Sequence, residues 1–147
     1  MTDWKIRRAT PADAASLTTC IDNAYSVYAG KGIDLPDVSE GIAEEIQKNL
    51  VWVAVLGQQI VGGLVLIARE DNAVLVNVAV DPSATGSGLG RALIDRAEQE
   101  ARTQGLGRIC LTTHVKIPEN VRLYRHLGWH ETSRAGNKVH MEKSLQD

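Results

Sequence analysis

Residues 77–102 read NVAVDPSATGSGLGRALIDRAEQEAR, and this stretch decides the fold. It begins as a β-type run, stops at Pro82, crosses the alternating glycines Gly86, Gly88 and Gly90, and ends in charged sequence with helical periodicity. Glycines let a backbone lie close to a phosphate, and the first N–H groups of a helix point at a ligand because they have no partner inside the helix. The stretch therefore predicts an anion site, with Arg91 adding positive charge. The alternative is a plain glycine-rich turn between a strand and a helix.

Two common phosphate motifs do not match these glycines. The dinucleotide fingerprint requires Gly-x-Gly-x-x-Gly/Ala, but the sixth position counted from Gly86 is Arg91, and from Gly88 it is Leu93. The nucleoside-triphosphate loop requires Lys-Ser/Thr after its last glycine, whereas Arg91 is followed by Ala92 here. The turn therefore predicts a third kind of phosphate site.

The composition is that of one globular domain, which we expect to span residues 1–147. Apolar residues make up 44% of the chain and charged residues 23%, which is typical of a folded protein. The formal net charge of −2 argues against a protein that holds nucleic acid through its phosphates. The start of the chain has no apolar signal core, and the longest apolar stretch is broken at residues 57–59. We expect a cytoplasmic protein with neither a nucleic-acid nor a membrane partner.

The two cysteines, Cys20 and Cys110, give no sign of a metal site. They lie far apart in the sequence without metal-ligand spacing, and both have apolar neighbours. We therefore expect two buried free thiols and no bound metal.

Periodicity and turn residues predict helices and strands in the order βααβββαβαββ. Strands are expected at residues 4–9, 50–69 (a hairpin), 72–82, 108–114, 129–135 and 138–145, and helices at 10–29, 37–49, 87–105 and 118–128. Thr10 is the expected N-cap of the first helix, with Pro11 at its first position. The strand–helix–strand order between Ala73 and Thr113 predicts a crossover connection. The stripes expected to be buried are Ala14, Leu17, Ile21, Tyr25 and Tyr28 in the first helix, and Leu89, Leu93, Ala97 and Ala101 in the third.

Two segments together resemble one known family. NVAVDPSATGSGLGRALI is similar to the acetyl-coenzyme A signature of the GCN5-related N-acetyltransferase (GNAT) family, Gln/Arg-x-x-Gly-x-Gly/Ala, with Gly88 and Gly90 on its glycines and Thr85 at the Gln/Arg position. NVRLYRHLGWHE resembles the family's later Leu-Tyr-x-x-x-Gly-Phe segment, with Trp129 replacing Phe. The resemblance spans the chain. It implies an α/β fold with a mixed, mostly antiparallel central sheet flanked by helices, and acetyl-CoA as co-substrate.

The resemblance also implies where the cofactor lies. Its pantetheine arm would run beside the strand that precedes the glycine turn, and its pyrophosphate would meet the turn mainly through backbone N–H groups. Because Thr85 departs from the signature, we expect weaker or differently tuned binding. Many members carry an Asn where this chain has Ile117, so Asn120 either reaches the cofactor from a displaced position or belongs to the first turn of its helix. The implied cofactor-binding residues are Val78, Ala79, Val80, Thr85, Gly86, Ser87, Gly88, Leu89, Gly90, Arg91 and Asn120.

Tyr124 stands where the family has the Tyr that protonates the leaving thiolate. A phenol has an ordinary pKa of about 10 and a thiol one of about 8.5, so the phenol keeps a proton to donate at neutral pH. The alternative is a half-buried helix residue that packs on Leu127. A backbone N–H near Val78 would polarise the thioester carbonyl, and Asn77 would contact the acceptor or cap a strand edge.

The general base is the least defined part of the implied site. Protein N-terminal acetyltransferases of the family often place a Glu in the strand where this chain has Thr112 and Thr113. His114 at the strand end has a suitable intrinsic pKa, and the alternative is an ordinary surface histidine.

The acceptor side is implied to be lined by the first two helices and their loop. The candidate side chains there are Tyr25, Tyr28, Asp34, Asp37 and Glu40, whose carboxylates would suit a cationic amine. The expected function is transfer of an acetyl group from acetyl-CoA to a primary amine of a small molecule, by direct attack in a ternary complex. The alternatives are a catalytically weak coenzyme A-binding sensor domain and a protein N-terminal acetyltransferase. Formation of a homodimer is left open.

Overall fold

The computed structural model describes residues 4–33 and 41–146. Their helices and strands follow the predicted order, with ends that differ from the predicted ones by a few residues. Residues 37–40 of the predicted second helix lie outside the described residues. In chain order they are β1 (Lys5–Arg8), α1 (Ala14–Gly30), α2 (Ile42–Lys48), β2 (Leu50–Leu56), β3 (Gln59–Ala68), β4 (Ala73–Val80), α3 (Leu89–Thr103), β5 (Arg108–His114), α4 (Pro118–His126), β6 (His130–Ala135) and β7 (Lys138–Ser144).

The strands of the described residues form one seven-stranded sheet in the order β1-β2-β3-β4-β5-β7-β6. The pairs β1–β2, β2–β3, β5–β7 and β6–β7 are antiparallel. Strands β4 and β5 are parallel, with Ala73 opposite Ile109 and Val74 opposite Cys110, so α3 is the predicted crossover helix. The prediction of a mixed, mostly antiparallel sheet with helices around it is confirmed.

Packing divides the chain into two compact units. The first contains Met1–Leu66 and Asn77–Ala97, and the second contains Ile67–Val76 and Glu98–Asp147. Strand β4 and helix α3 each begin in one unit and end in the other. The expectation of a single domain over residues 1–147 stays a prediction.

The first unit has a core of aliphatic side chains beneath α1 and α2. Its buried members include Leu17, Ile21, Ile42, Val53 and Val65. In α1, Leu17 and Ile21 are buried as predicted, while Ala14, Tyr25 and Tyr28 are only half-buried.

Two glycines of β3 bring the helices of this unit close to the strand. A Cβ at Gly63 would lie 2.5 Å from Leu17 Cδ1, and one at Gly62 would lie 3.0 Å from both the Ala79 carbonyl oxygen and Leu89 Cδ2. A contact of 2.5 Å is closer than real Cβ atoms come, so the Leu17 side chain would have to move, and at Gly62 the neighbours would have to give by a few tenths of an ångström. Glycine at both positions therefore permits this close packing. Gly62 thereby lets the end of β4 and the start of α3 lie against β3.

The start of α1 differs from the prediction in one respect. A 3₁₀ turn, Pro11–Asp13, precedes the α-helix, which begins at Ala14. The Asp13 carboxylate accepts the Thr10 backbone N–H at 2.7 Å and is bound by the Arg7 guanidinium at 2.7 and 3.0 Å. Because Arg7 also binds Asp13, the ion pair ties β1 to the turn before the helix.

In the second unit, the buried residues of β5 and β7 alternate along each strand. Ile109 and Leu111 of β5 are buried, as are Val139 and Met141 of β7. This alternation is the ordinary result of a strand with one covered face.

The prediction of two buried free thiols is only half confirmed. Both cysteines are free, but Cys20 is buried whereas Cys110 is half-exposed. Cys110 lies between the buried residues Ile109 and Leu111 of β5, so its side chain belongs to the other, less covered face of the strand. Burial raises the pKa of the Cys20 thiol to about 11 and also raises that of Cys110, so neither sulfur is disposed to act as a thiolate nucleophile.

No helix among the described residues is long and apolar enough to cross a membrane.

Candidate functional site

The glycine turn joins β4 to α3 and contains two left-handed residues. The φ angles of Gly86 and Gly88 are 79° and 84°, values that side chains rarely adopt. A Cβ at either position would meet nothing within 4 Å, so the backbone conformation, and not packing, requires these two glycines.

Gly90 is a different case. It is the second residue of α3, where any residue has an ordinary helical conformation, and its added Cβ would lie 3.7 Å from Val80 Cγ2, a normal contact. Neither backbone strain nor internal packing requires glycine here. A requirement for close approach by a ligand would explain it.

The start of α3 presents unpaired backbone donors. Ala92 donates its N–H to the Gly88 carbonyl at 3.1 Å and is the first donor of the helix ladder, so the N–H groups of Leu89, Gly90 and Arg91 come before it and have no partner within the helix. These donors and the positive end of the helix dipole favour an anion. The Arg91 side chain is exposed and adds positive charge on the same turn.

Asp81 holds the turn on the β4 side and was not recognised from the sequence. Its backbone N–H donates to the Val61 carbonyl at 2.8 Å, and its carboxylate accepts the N–H and hydroxyl of Ser83 at 3.0 and 2.8 Å. The Ser83 N–H holds the pKa of this buried carboxyl below its usual value. An Asp directly before Pro82, with Ser two residues on, is the signature of a capped turn and could have identified it.

The side chains of Thr85 and Ser87 are used inside the turn. The Thr85 hydroxyl donates to the Pro82 carbonyl at 2.9 Å, and the Ser87 hydroxyl donates to the Ala84 carbonyl at 2.6 Å. Thr85 therefore shapes the turn through its own hydrogen bond, whatever contact it makes with a ligand.

The end of β4 is joined to α1 through Asn77. This residue is buried inside the strand, so it does not cap a strand edge. The Tyr25 hydroxyl lies 3.3 Å from Asn77 Oδ1, to which it donates, and 3.5 Å from the Val78 carbonyl oxygen. Burial, and then the nearby Tyr28, raise the pKa of Tyr25 to about 12. The Tyr25 phenol is therefore a proton donor at any physiological pH.

Tyr124 lies in α4 of the second unit and is buried, with 8% of its surface exposed. Its ring meets that of Trp129 edge-on, with centroids 5.3 Å apart and an interplanar angle of 61°. Trp129 also donates its backbone N–H to the Tyr124 carbonyl at 2.9 Å. The structure thus gives Tyr124 a packing contact with Trp129, and the role of its hydroxyl stays a prediction.

Asn120 belongs to the first turn of α4, which is one of the two positions considered for it from the sequence. Its backbone N–H donates to the Ile117 carbonyl at 3.1 Å, and its side-chain amide donates to the Thr113 hydroxyl at 3.4 Å. The residue joins α4 to the end of β5, and contact with a cofactor stays a prediction.

His114 is held by its own loop. Its Nδ1 accepts the backbone N–H of Lys116 at 3.0 Å, which assigns the proton of the neutral ring to Nε2. The choice between a general base and an ordinary surface histidine stays a prediction.

The carboxylates predicted for the acceptor side, Asp34, Asp37 and Glu40, lie outside the described residues. Of the acceptor candidates that are described, Tyr25 and Tyr28 are half-buried neighbours with ring centroids 5.9 Å apart. No cluster of three or more metal-ligating side chains occurs within residues 4–33 and 41–146.

The family model and the curated sequences that match this chain are all acetyltransferases. The sequence model described as "Acetyltransferase (GNAT) family" matches residues 21–129. The amino-acid acetyltransferase of Mycobacterium tuberculosis is 33% identical over 112 residues, which cover 74% of this chain and 60% of that protein. The ribosomal protein bS18-alanine N-acetyltransferase of Escherichia coli is 35% identical over 63 residues, 43% of each chain. The matched region thus spans less than two thirds of the length of either curated relative.

Comparison with solved structures shows the fold. The PaiA N-acetyltransferase of Thermoplasma acidophilum in complex with coenzyme A superposes with a TM-score of 0.83 at 19% identity, covering 97% of this chain and 99% of that one. The E. coli ribosomal-protein-S18-alanine N-acetyltransferase gives a TM-score of 0.80 at 19% identity, covering 98% and 95%.

Proposed function

Because the chain belongs to the acetyltransferase (GNAT) family, we propose that it transfers an acetyl group from acetyl-CoA to a primary amine by direct attack in a ternary complex. The observation that carries this proposal is Gly90, a glycine at the start of α3 that neither backbone strain nor internal packing requires. It leaves the helix N-terminus open to the pyrophosphate of the cofactor.

The donor half of the site is assigned to the end of β4 and the turn. The N–H groups of Leu89, Gly90 and Arg91 bind the pyrophosphate, and the backbone of Val78–Val80 binds the pantetheine arm. The Val78 N–H donates to the thioester carbonyl, where negative charge develops when the amine attacks.

The chemical step transfers the acetyl group directly. The lone pair of the neutral amine attacks the thioester carbon, a C–N bond forms, and the C–S bond breaks with its electron pair on sulfur. Tyr124 donates its phenolic proton to the departing thiolate. The proton of the attacking amine passes to a base or a water chain, because an amine with an ordinary pKa of about 10.4 is mostly protonated at neutral pH.

We propose a small, amino-acid-like amine as acceptor. The relative whose match covers 74% of this chain is named an amino-acid acetyltransferase, and the balance of 16 basic and 18 acidic residues is unsuited to a nucleic-acid acceptor. A second candidate is the N-terminal amine of a protein, which the 35% identity to the bS18-alanine enzyme favours.

An acceptor screen monitored by release of free thiol tests the proposal. The panel contains amino acids, polyamines, aminoglycosides and peptides with a free N-terminal alanine, each with acetyl-CoA. We expect turnover with a small amine, and a lowered but measurable kcat in Tyr124→Phe with little change in the Kd of acetyl-CoA. Turnover restricted to peptides supports the second candidate, and acetyl-CoA binding without turnover on any amine identifies a sensor domain.

A further inference from the structure

We infer that Trp129 is a positioning residue for Tyr124, and that the ion pair between buried Glu98 and half-buried Lys143 fixes the Trp129 ring. The inference rests on the proposed role of Tyr124 in acetyl transfer. All the residues that carry it lie in the second unit.

Trp129 is tied to Tyr124 in two ways. Its backbone N–H donates to the Tyr124 carbonyl at 2.9 Å, and its ring, only 2% exposed, meets the Tyr124 ring edge-on at 5.3 Å. Edge-to-face pairs are directional because the positive edge of one ring faces the negative face of the other. The orientation of the indole therefore restricts the orientation of the phenol.

The indole is in turn held by a buried carboxylate. Its Nε1 donates to Glu98 Oε2 at 3.3 Å, while Glu98 Oε1 lies 2.8 Å from Lys143 Nζ. Lys143 also donates to the carbonyl of Leu127, the residue that follows α4 in the chain, at 2.7 Å. Glu98 belongs to α3, so α3 and β7 together anchor the indole and the end of α4.

The Glu98–Lys143 ion pair adds little to the free energy of unfolding. Glu98 is 4% exposed, and a carboxylate at this depth loses most of its hydration, which offsets much of the gain from pairing with the half-buried Lys143. What the network does supply is direction, because each of its members has a partner in a defined geometry. A phenylalanine at position 129, as in the family segment that the sequence resembles, is smaller than the indole and could not donate to Glu98.

A double-mutant cycle on turnover tests the inference. We expect Trp129→Phe to lower kcat by about 10-fold with an unchanged Kd for acetyl-CoA, because small displacements of a reacting group are costly. In the Tyr124→Phe background the same change should lower kcat no further, since its effect acts through Tyr124. An equal loss in both backgrounds would overturn the positioning role.

Trp52→Phe is the matched control. Trp52 lies in β2 of the first unit, beneath the guanidinium groups of Arg8 and Arg96, and its buried indole N–H has no acceptor within the described part of the chain. Its replacement should leave kcat unchanged. If Trp129→Phe proves too unstable, Glu98→Leu removes the acceptor of the indole N–H at similar side-chain volume, and the same readouts apply.

A measurement that needs no turnover separates this inference from the proposed function. The chain has three tyrosines, so ring-labelled tyrosine gives three NMR signals, and Tyr124→Phe identifies the signal of Tyr124. Glu98→Leu keeps the indole and its ring current but removes the acceptor that orients it, so it should move or broaden that signal, and Trp52→Phe should not. An unmoved signal overturns the positioning of the ring. A moved signal together with full turnover in Tyr124→Phe instead overturns the catalytic role of Tyr124 and leaves the positioning of its ring standing.

Discussion

At the scale of single residues, two glycines of the turn are needed for different reasons. Gly88 is needed for its backbone conformation, and Gly90 is proposed to be needed for the approach of a ligand. We predict that Gly90→Val leaves the thermal unfolding midpoint within a few degrees of wild type but abolishes stabilisation by acetyl-CoA, because its side chain lies where the pyrophosphate approaches. Gly88→Val should instead lower stability by about 1–2 kcal/mol, since φ is 84° there. Melting curves with and without acetyl-CoA measure both effects.

Gly90→Ala is the control for this pair, because a single methyl group is accepted at that position of the family signature. It should fold and bind acetyl-CoA. A folded Gly90→Val variant with wild-type affinity for acetyl-CoA would remove the turn from the cofactor site.

The buried hydroxyl of Tyr25 makes the stability of the folded chain depend on pH in the alkaline range. Its pKa is about 12 in the folded protein and about 10 in an unfolded chain. Between these values the unfolded state has lost the proton that the folded state retains, so stability falls as pH rises from 10 to 12. Tyr25→Phe should reduce this alkaline loss, while below pH 10 it should cost about 1 kcal/mol through the lost hydrogen bond to Asn77. Denaturant unfolding at pH 8 and pH 11 checks both signs.

At the scale of the element, the start of α1 depends on the Asp13–Arg7 ion pair. The Arg7 guanidinium lowers the pKa of the Asp13 carboxyl from 3.8 to about 2. The stabilisation is therefore complete above about pH 4 and is lost as pH falls towards 2. Because half of the Arg7 side chain is exposed, we expect a contribution of about 1–2 kcal/mol.

Asp13→Asn should lower stability at pH 6 and weaken its dependence on pH between 4 and 2. Chemical unfolding monitored by circular dichroism across this range measures the effect. The matched control is Asp22→Asn on the exposed face of α1. A wild-type acid profile in Asp13→Asn would show that the ion pair does not stabilise the helix start.

At the scale of the whole molecule, cofactor binding should stabilise the folded chain by mass action. At a free acetyl-CoA concentration 100-fold above Kd, the free energy of unfolding should rise by about 2.7 kcal/mol, which raises Tm by several degrees in a chain of this size. The shift should grow with the logarithm of concentration, persist in Tyr124→Phe and disappear in Gly90→Val. A Tm independent of acetyl-CoA concentration would contradict cofactor binding by this chain.

The sequence by itself determined the order of elements and the glycine turn. Helical and alternating periodicities are local properties, and turn residues such as Pro82 and Gly57 interrupt them at defined points. The buried stripe of α3 was predictable for the same reason, and Leu89, Leu93, Ala97 and Ala101 are all buried. The family followed from two short motifs at the correct separation.

Only the tertiary structure decided which polar groups meet. Tyr25 and Asn77 are separated by 52 residues, and Glu98 and Trp129 by 31, and no periodicity links such positions. The half-exposed face of Cys110 and the 3₁₀ turn before α1 likewise depend on neighbouring strands and on Arg7. Local patterns fix which backbone segments become regular because their hydrogen bonds close within a few residues. Contacts between distant side chains form only after the elements pack, so the chemistry of this site depends on the fold.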